Sequence, residues 1–164
     1  MATTPILATL GYVLSPDGGR VLLIHRNARP DDPAFGKMNG LGGKVERDED
    51  VASGMRRELR EEAGIEAGEM VLRGTILWPG FGKGGEDWFG FLFVIPRWSG
   101  EPHASNPEGG LSWVPVEDLV EGRVPLWPGD RHFLPWVFDE DPRVFHGVMP
   151  YAGGQPVSWS ATRV

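Results

Sequence analysis

Cysteine is absent from the 164-residue chain, so disulfide scaffolds, thiolate nucleophiles and Cys-based zinc sites are excluded together. A chain without thiols suits a reducing compartment. Long apolar runs are missing too: the longest, WFGFLFVIP at 88–96, is too short to cross a bilayer as a helix. The N-terminal MATTPILATLGYVL lacks the basic region of a signal peptide. Both readings point to a cytoplasmic protein with no membrane contact. Basic charge is scarce as well. Lys and Arg number 16 against 23 Asp and Glu, a formal charge of -7, which argues against a surface that coats a nucleic-acid polymer. Small phosphorylated compounds remain open, provided their charge is neutralised locally. The usual device is a divalent cation held by carboxylates.

Turn formers are plentiful: 24 Gly and 15 Pro, scattered along the chain, predict many turns and long loops in a folded protein. The length predicts one domain spanning residues 1–164, and neither an internal repeat nor a linker-like shift in composition divides it. Ile6 to Leu14 reads as a strand, SPDGG as a turn and RVLLIHR as a second strand, together a hairpin. Asn27 to Lys37 reads as a long surface loop. A helix is predicted from roughly Asp50 to Ala63, with Asp48, Glu49 and Asp50 at its positive end and Gly64 as its stop. Gly54 within it needs a packing reason. Further strands are expected near Met70 to Trp78, Asp87 to Ile95, Leu111 to Val114, Arg143 to Met149 and Val157 to Thr162, and a second helix from near Gly129 to Phe138. This is a mixed α/β (α+β) order without the regular alternation of a doubly wound fold.

RRELREEAG at 56–64 crowds three Glu and three Arg into the end of the first helix. At about 100° per residue, Glu62 falls on the apolar stripe of Val51, Met55 and Leu59, and Glu58 borders it, whereas Arg56 and Arg60 point toward water. A buried unpaired carboxylate is very costly, so a cation should meet these side chains. Glu58 and Glu62 lie one turn apart and can converge on one hard cation, while Arg57 is spaced to pair with Glu61. Spacing alone leaves a surface ion-pair network and a metal site both open.

Read with its upstream residues, the segment is more specific. Gly43, Glu49, Arg57, Glu58, Leu59, Glu61, Glu62, Gly64 and Ile65 resemble the Nudix hydrolase signature at every fixed position. The resemblance implies a Nudix fold, mixed β-sheets sandwiched between α-helices, and hydrolysis of a nucleoside diphosphate linked to another moiety. It also implies Mg2+, with Mn2+ as a substitute, held by Glu58, Glu61, Glu62 and the carbonyl of Gly42 on a helix that carries Arg57. A further glutamate outside the signature is implied as ligand or base. Glu108 in NPEGGLSW is the candidate, with Glu101, Glu117 and Asp118 as alternatives.

GKMNGLGGKV, LWPGD, FHG and a C-terminal TRV resemble the oxidised purine nucleoside triphosphatase branch of MutT-like enzymes over nearly the whole chain. That resemblance implies that Asn39 and Asp130 read the base edge and Trp127 stacks on the ring, with Thr9 and Arg26 near the nucleotide. Leu41, Gly42, Gly43, Lys44, Pro128 and Gly129 complete the implied substrate-binding set. Without the motif, Trp127 would read as a core aromatic and Asp130 as a helix N-terminal carboxylate. Three positions depart from the branch: Arg26 replaces a lysine, Gly129 stands where a second acidic residue is frequent, and Met38 stands where an aromatic is frequent. The Gly-rich segment from Trp78 to Trp88, bracketed by aromatics, is a candidate pocket wall, and the four histidines read as structural. The expected activity is Mg2+-dependent cleavage of oxidised purine (d)NTPs such as 8-oxo-dGTP to monophosphate and pyrophosphate, by a monomer whose partner is a small-molecule nucleotide. The alternatives are a Nudix hydrolase of another nucleoside diphosphate derivative, or an inactive nucleotide-sensing module.

Overall fold

The computed structural model describes all 164 residues. Its centre is strand β1 (Ile6–Leu14), which pairs antiparallel with β2 (Arg20–His25) through the expected hairpin. Short β3 (Met38–Asn39) adds to the far end of β2. Helix α1 (Val51–Ala63) follows, then β4 (Glu66–Ala67), β5 (Val71–Trp78), β6 (Trp88–Ile95), β7 (Trp98–Ser99), β8 (Ser105–Asn106) and β9 (Gly109–Pro115). Helices α2 (Val116–Val120) and α3 (Asp130–Phe138) precede β10 (Phe145–Val148), β11 (Tyr151–Ala152), β12 (Gln155–Pro156) and β13 (Ser160–Arg163). Nine strands form one mixed sheet in the order β13-β10-β5-β6-β1-β2-β9-β8, with β3 on β2; β1 runs parallel to β6, and β10 parallel to β5. No helix is long and apolar enough to cross a membrane.

The continuous apolar run of β2 reflects a sheet covered on both faces. Successive side chains point to opposite sides of a strand. Val21 and Leu23 pack with Tyr12, Leu119, Phe133 and Val137, on the side of α2 and α3. Leu22 and Ile24 pack with Val13, Met55, Leu59 and Ala63, on the side of α1. The sheet is thus sandwiched between helices, as the resemblance implies.

Both ends of α1 are set by local chemistry. Asp50 caps it by accepting from the Ser53 N–H at 2.8 Å, and Gly64, at φ 69°, closes it with its own N–H on the Arg60 carbonyl. Asp48 and Glu49 lie before the first turn and not in it. Gly54 has its packing reason in Glu49, whose Oε1 would stand 2.9 Å from an added Cβ. Met55 and Leu59 are fully buried, each worth about 1.5–3 kcal/mol on removal from water. Gly11 lets α1 settle closely on β1: a Cβ there would meet Met55 Cε at 2.8 Å.

The longer strands end within three residues of the expectation, and β1 matches it at both ends. Six two-residue strands and α2 lay below the length at which periodicity is visible. One expectation is corrected outright. Arg56 does not point freely into water but donates to the carbonyls of Ala67 and Gly68.

Arg73 sits at the β-bulge of β5, where the register slips between Leu72 and Gly74. The extra residue turns its guanidinium into the layer below, and it is only 8% exposed. It donates to the Val137 carbonyl (2.9 Å), the Asp139 carbonyl and carboxylate (3.1 Å each) and the Asp141 carbonyl (2.8 Å). Arg163 on the last strand grips the same Asp139. Replacing Arg73 by Ala should destabilise the protein by roughly 2–4 kcal/mol, because buried acceptors lose a charged donor. Urea unfolding measures this, and a loss below about 1 kcal/mol would show that the bulge is not an anchor.

Candidate active site

The loop between β3 and α1 is pinned across the central strand. Gly11 and Leu41 exchange backbone hydrogen bonds at 2.5 and 2.9 Å, and the Thr9 N–H donates to the Gly43 carbonyl at 2.8 Å. Gly42 has φ +153°, and an added Cβ would run into the Thr9 carbonyl. A Cβ on Gly43 would stand 2.6 Å from Glu58 Oε1. The loop backbone is therefore wedged between β1 and the carboxylates of α1, a separation that only glycine permits.

On the helix side of the wedge, Arg57 gathers the acidic groups. It donates to both oxygens of Glu49 (3.0 and 2.7 Å), to Glu58 (3.0 Å), to Glu61 (3.1 Å) and to the Lys44 carbonyl (3.1 Å). Its hydrogen bonds hold Glu49 below the usual carboxylate range. Glu62 lies deeper. It accepts from the Gly42 N–H at 3.3 Å. Burial, then the charges of Glu58 and Glu108, push Glu62 up to about 9; burial also raises Glu58, against the pull of Arg57. Two carboxyl groups raised by burial and by neighbouring acidic charge form a donor set that a divalent cation fits, since the cation offsets that charge.

Glu61 does not join that pair. Its side chain is 57% exposed and turned to Arg57, and no three acidic or histidine side chains converge on one point. Glu108, in the turn between β8 and β9, pairs with Arg26 (3.4 Å) and Arg29 (3.7 Å), and Arg26 is held by Asp32 at 2.7 Å. Of the alternatives to Glu108, Asp118 is committed to Arg123 and Glu101 is exposed.

On the strand side of the wedge lies a cavity of about 420 Å³. Thr9, Arg26, Asn39, Gly42, Gly43, Trp127 and Asp130 line it, together with Met38. Leu41, Lys44, Pro128 and Gly129 do not. Leu41 is fully buried beneath the loop against the α1 face, because its backbone, not its side chain, holds the turn. Lys44 places Nζ 5.6 Å over the Trp88 ring. The segment from Trp78 to Trp88 does form a wall, organised by Phe81, whose ring meets those of Trp78 (6.1 Å), Trp88 (6.1 Å), Trp127 (5.7 Å) and Tyr151 (5.0 Å). Trp88 Nε1 is buried without a hydrogen-bond partner. His146 is bonded to Thr75 on the neighbouring strand at 2.7 Å, a structural role. Tyr12, Phe133 and Tyr151 complete the wall and were not singled out in the sequence. The only signal for Tyr151 was the Gly-Gly turn that follows it.

Residues 5–137 match the NUDIX domain family. The chain belongs to the Nudix family. It is 32% identical over 136 residues to the uncharacterised Nudix hydrolase YvcI of Bacillus subtilis, covering 80% of this chain and 79% of that one. It is 29% identical over 150 residues to the oxidized purine nucleoside triphosphate hydrolase of Danio rerio, covering 92% and 89%. Among solved structures it resembles a MutT protein of Bacillus halodurans, with a TM-score of 0.80 at 26% identity over 95% of this chain and 97% of that one.

Nudix hydrolases use divalent metals such as Mg2+ and act on small nucleotide compounds. In this Nudix hydrolase the cavity and the carboxylates meet at one stretch of backbone: Gly42 and Gly43 line the cavity, while the Gly42 N–H donates to Glu62 and Gly43 lies against Glu58. The polar group at the start of α3 that lines the cavity is the half-buried Asp130, which desolvation pushes up to about 7 while the Trp127 backbone and the charge of Lys37 pull the other way. Between about pH 4 and pH 7 the folded protein holds a proton there that the unfolded chain releases. That contribution to stability is full below about pH 4 and is lost as pH rises through about 7. Thermal melts of the metal-free protein should therefore drop from pH 5 to pH 8, with Asp130 supplying on the order of 2–4 kcal/mol of the change. Asp130→Asn should flatten that part of the profile. Parallel profiles for the two proteins would remove Asp130 from the account.

Proposed function

We propose that this Nudix hydrolase is a Mg2+-dependent pyrophosphohydrolase of oxidised purine (d)NTPs such as 8-oxo-dGTP, releasing the monophosphate and pyrophosphate. The observation that carries the reading is the shared Gly42–Gly43 wall. A ring system held in the cavity would run its phosphate chain along that stretch toward Glu58 and Glu62. The cavity volume falls in the range of small-ligand sites.

In this reading Glu58, Glu62 and the Gly42 carbonyl would hold Mg2+, with Glu61 and Glu108 joining them by leaving Arg57 and the Arg26 and Arg29 side chains. The metal offsets phosphate charge and acidifies the attacking water. Arg57 orients Glu58 through the hydrogen bond already described, and Glu108 serves as ligand or base. Gly42 and Gly43 let the backbone approach the phosphate chain, and Arg26, held by Asp32, presents a guanidinium to it. Trp127 supplies a stacking face. Asn39 offers both donor and acceptor, and Asp130, poised near neutrality, can accept from or donate to the base edge. Product chemistry of this kind is nucleotide-pool sanitation by a cytoplasmic monomer, one domain over residues 1–164.

Gly129 favours a second reading. The LWPGD segment has one carboxylate where the branch frequently has two, which weakens discrimination at the base edge and suits an unmodified NTP, a dinucleoside polyphosphate or a nucleotide sugar.

Two variants separate the roles. Glu62→Gln should lower kcat by about 100-fold or more while circular dichroism shows the fold intact. Asp130→Ala should lower kcat/KM for 8-oxo-dGTP about 10- to 100-fold through KM, and leave the Mg2+ requirement unchanged. Undiminished turnover by Glu62→Gln removes the metal assignment. An equal loss for every nucleotide with Asp130→Ala removes base reading by Asp130.

A further inference from the structure

The position left without a side chain at Gly129 is not empty space. A Cβ there would collide with the Tyr151 hydroxyl and would stand 2.5 Å from Met149 Sδ. The phenol of Tyr151 thus occupies the place into which a side chain at 129 would point. It belongs to the cavity wall beside Asp130 and Trp127.

Tyr151 is held there firmly. Its N–H donates to the Pro79 carbonyl at 2.8 Å, its ring meets Phe81 edge-on at 5.0 Å, and its strand is closed by the β11–β12 hairpin. Burial first, and then the charge of Asp130, push the phenol up to about 12. It therefore stays an O–H at any working pH, with one donor and acceptor lone pairs to offer. A second carboxylate beside Asp130 would instead repel it.

We propose that Tyr151 is a specificity-determining residue of the pocket: its hydroxyl, standing in for the missing side chain at 129, works with Asp130 to hydrogen-bond the edge of an oxidised purine base. This rests on the reading of the cavity as a purine site. The two groups divide the work chemically. Asp130 changes between acceptor and donor with its proton, whereas Tyr151 always keeps one donor and an acceptor, so the pair matches a base edge that presents both. The substrate class is an 8-oxopurine, whose N7–H donor and adjacent carbonyl acceptor differ from the two acceptors of the unmodified guanine edge.

The test is binding of 8-oxo-dGMP, dGMP and deoxyribose 5-phosphate to wild type and Tyr151→Phe in EDTA, by calorimetry, with KM and kcat for 8-oxo-dGTP and dGTP measured in Mg2+. Tyr151→Phe keeps the ring and its contact with Phe81, and a thermal melt checks the fold. The expected result is a 3- to 10-fold weaker affinity for 8-oxo-dGMP, about the worth of one neutral hydrogen bond, a smaller change for dGMP, and a loss in turnover that falls on KM more than on kcat. If wild type prefers 8-oxo-dGMP and Tyr151→Phe keeps that preference within twofold, the role of Tyr151 is overturned while the purine site stands. If wild type binds 8-oxo-dGMP no better than deoxyribose 5-phosphate, the purine site fails and the proposal fails with it.

Discussion

The structure depends on a close approach of backbone that tolerates no side chain. The loop carrying Gly42 and Gly43 is wedged between the Thr9 carbonyl of β1 and the Glu58 carboxylate of α1. Gly11 on the same strand allows α1 to come near enough for the wedge to exist. A Cβ at Gly42 would collide with the β1 backbone and displace the loop, whereas one at Gly43 or Gly11 would have to push aside the end of the Glu58 or Met55 side chain. The wedge brings the acidic groups of α1 and an aromatic cavity together at one stretch of backbone.

Electrostatics explains why the acidic side is so heavily tied. Arg57 spends its donors on Glu49, Glu58, Glu61 and the Lys44 carbonyl, which joins the start of the helix, its acidic face and the loop into one unit. The ion-pair network and the proposed metal site, which spacing alone left as rivals, draw on the same residues. Glu62 is the group the network does not reach. Its burial against Glu58 stores an unfavourable interaction that a hard cation relieves.

The helix was the most legible part of the sequence, because its caps, its apolar stripe and its acidic signature agree with one another. The places of Asn39, Trp127 and Asp130 in the cavity were legible only through the motifs around them, since each residue alone reads equally well as ordinary structure. The segment from Trp78 to Trp88 showed itself by its bracketing aromatics. Tyr151 and Arg73 were hidden for physical reasons. Tyr151 lies on a two-residue strand with no periodicity of its own, and it matters only because Gly129, distant in sequence, leaves it room. Arg73 is turned inward by a bulge, a register slip that sequence pattern does not display. Glu61 met the signature and yet faces Arg57, because its position on the helix lies outside the stripe that carries Glu62 to the loop.

The central claim is that the cavity and the carboxylates act on one oxidised purine nucleotide. It is tested most directly by kcat/KM of the wild-type protein for 8-oxo-dGTP and dGTP in Mg2+, with pyrophosphate as the product assayed. The account predicts Mg2+-dependent pyrophosphate release and a preference for 8-oxo-dGTP of roughly 10-fold or more, about 1.4 kcal/mol of discrimination. Equal or better use of dGTP, or release of phosphate in place of pyrophosphate, would contradict it.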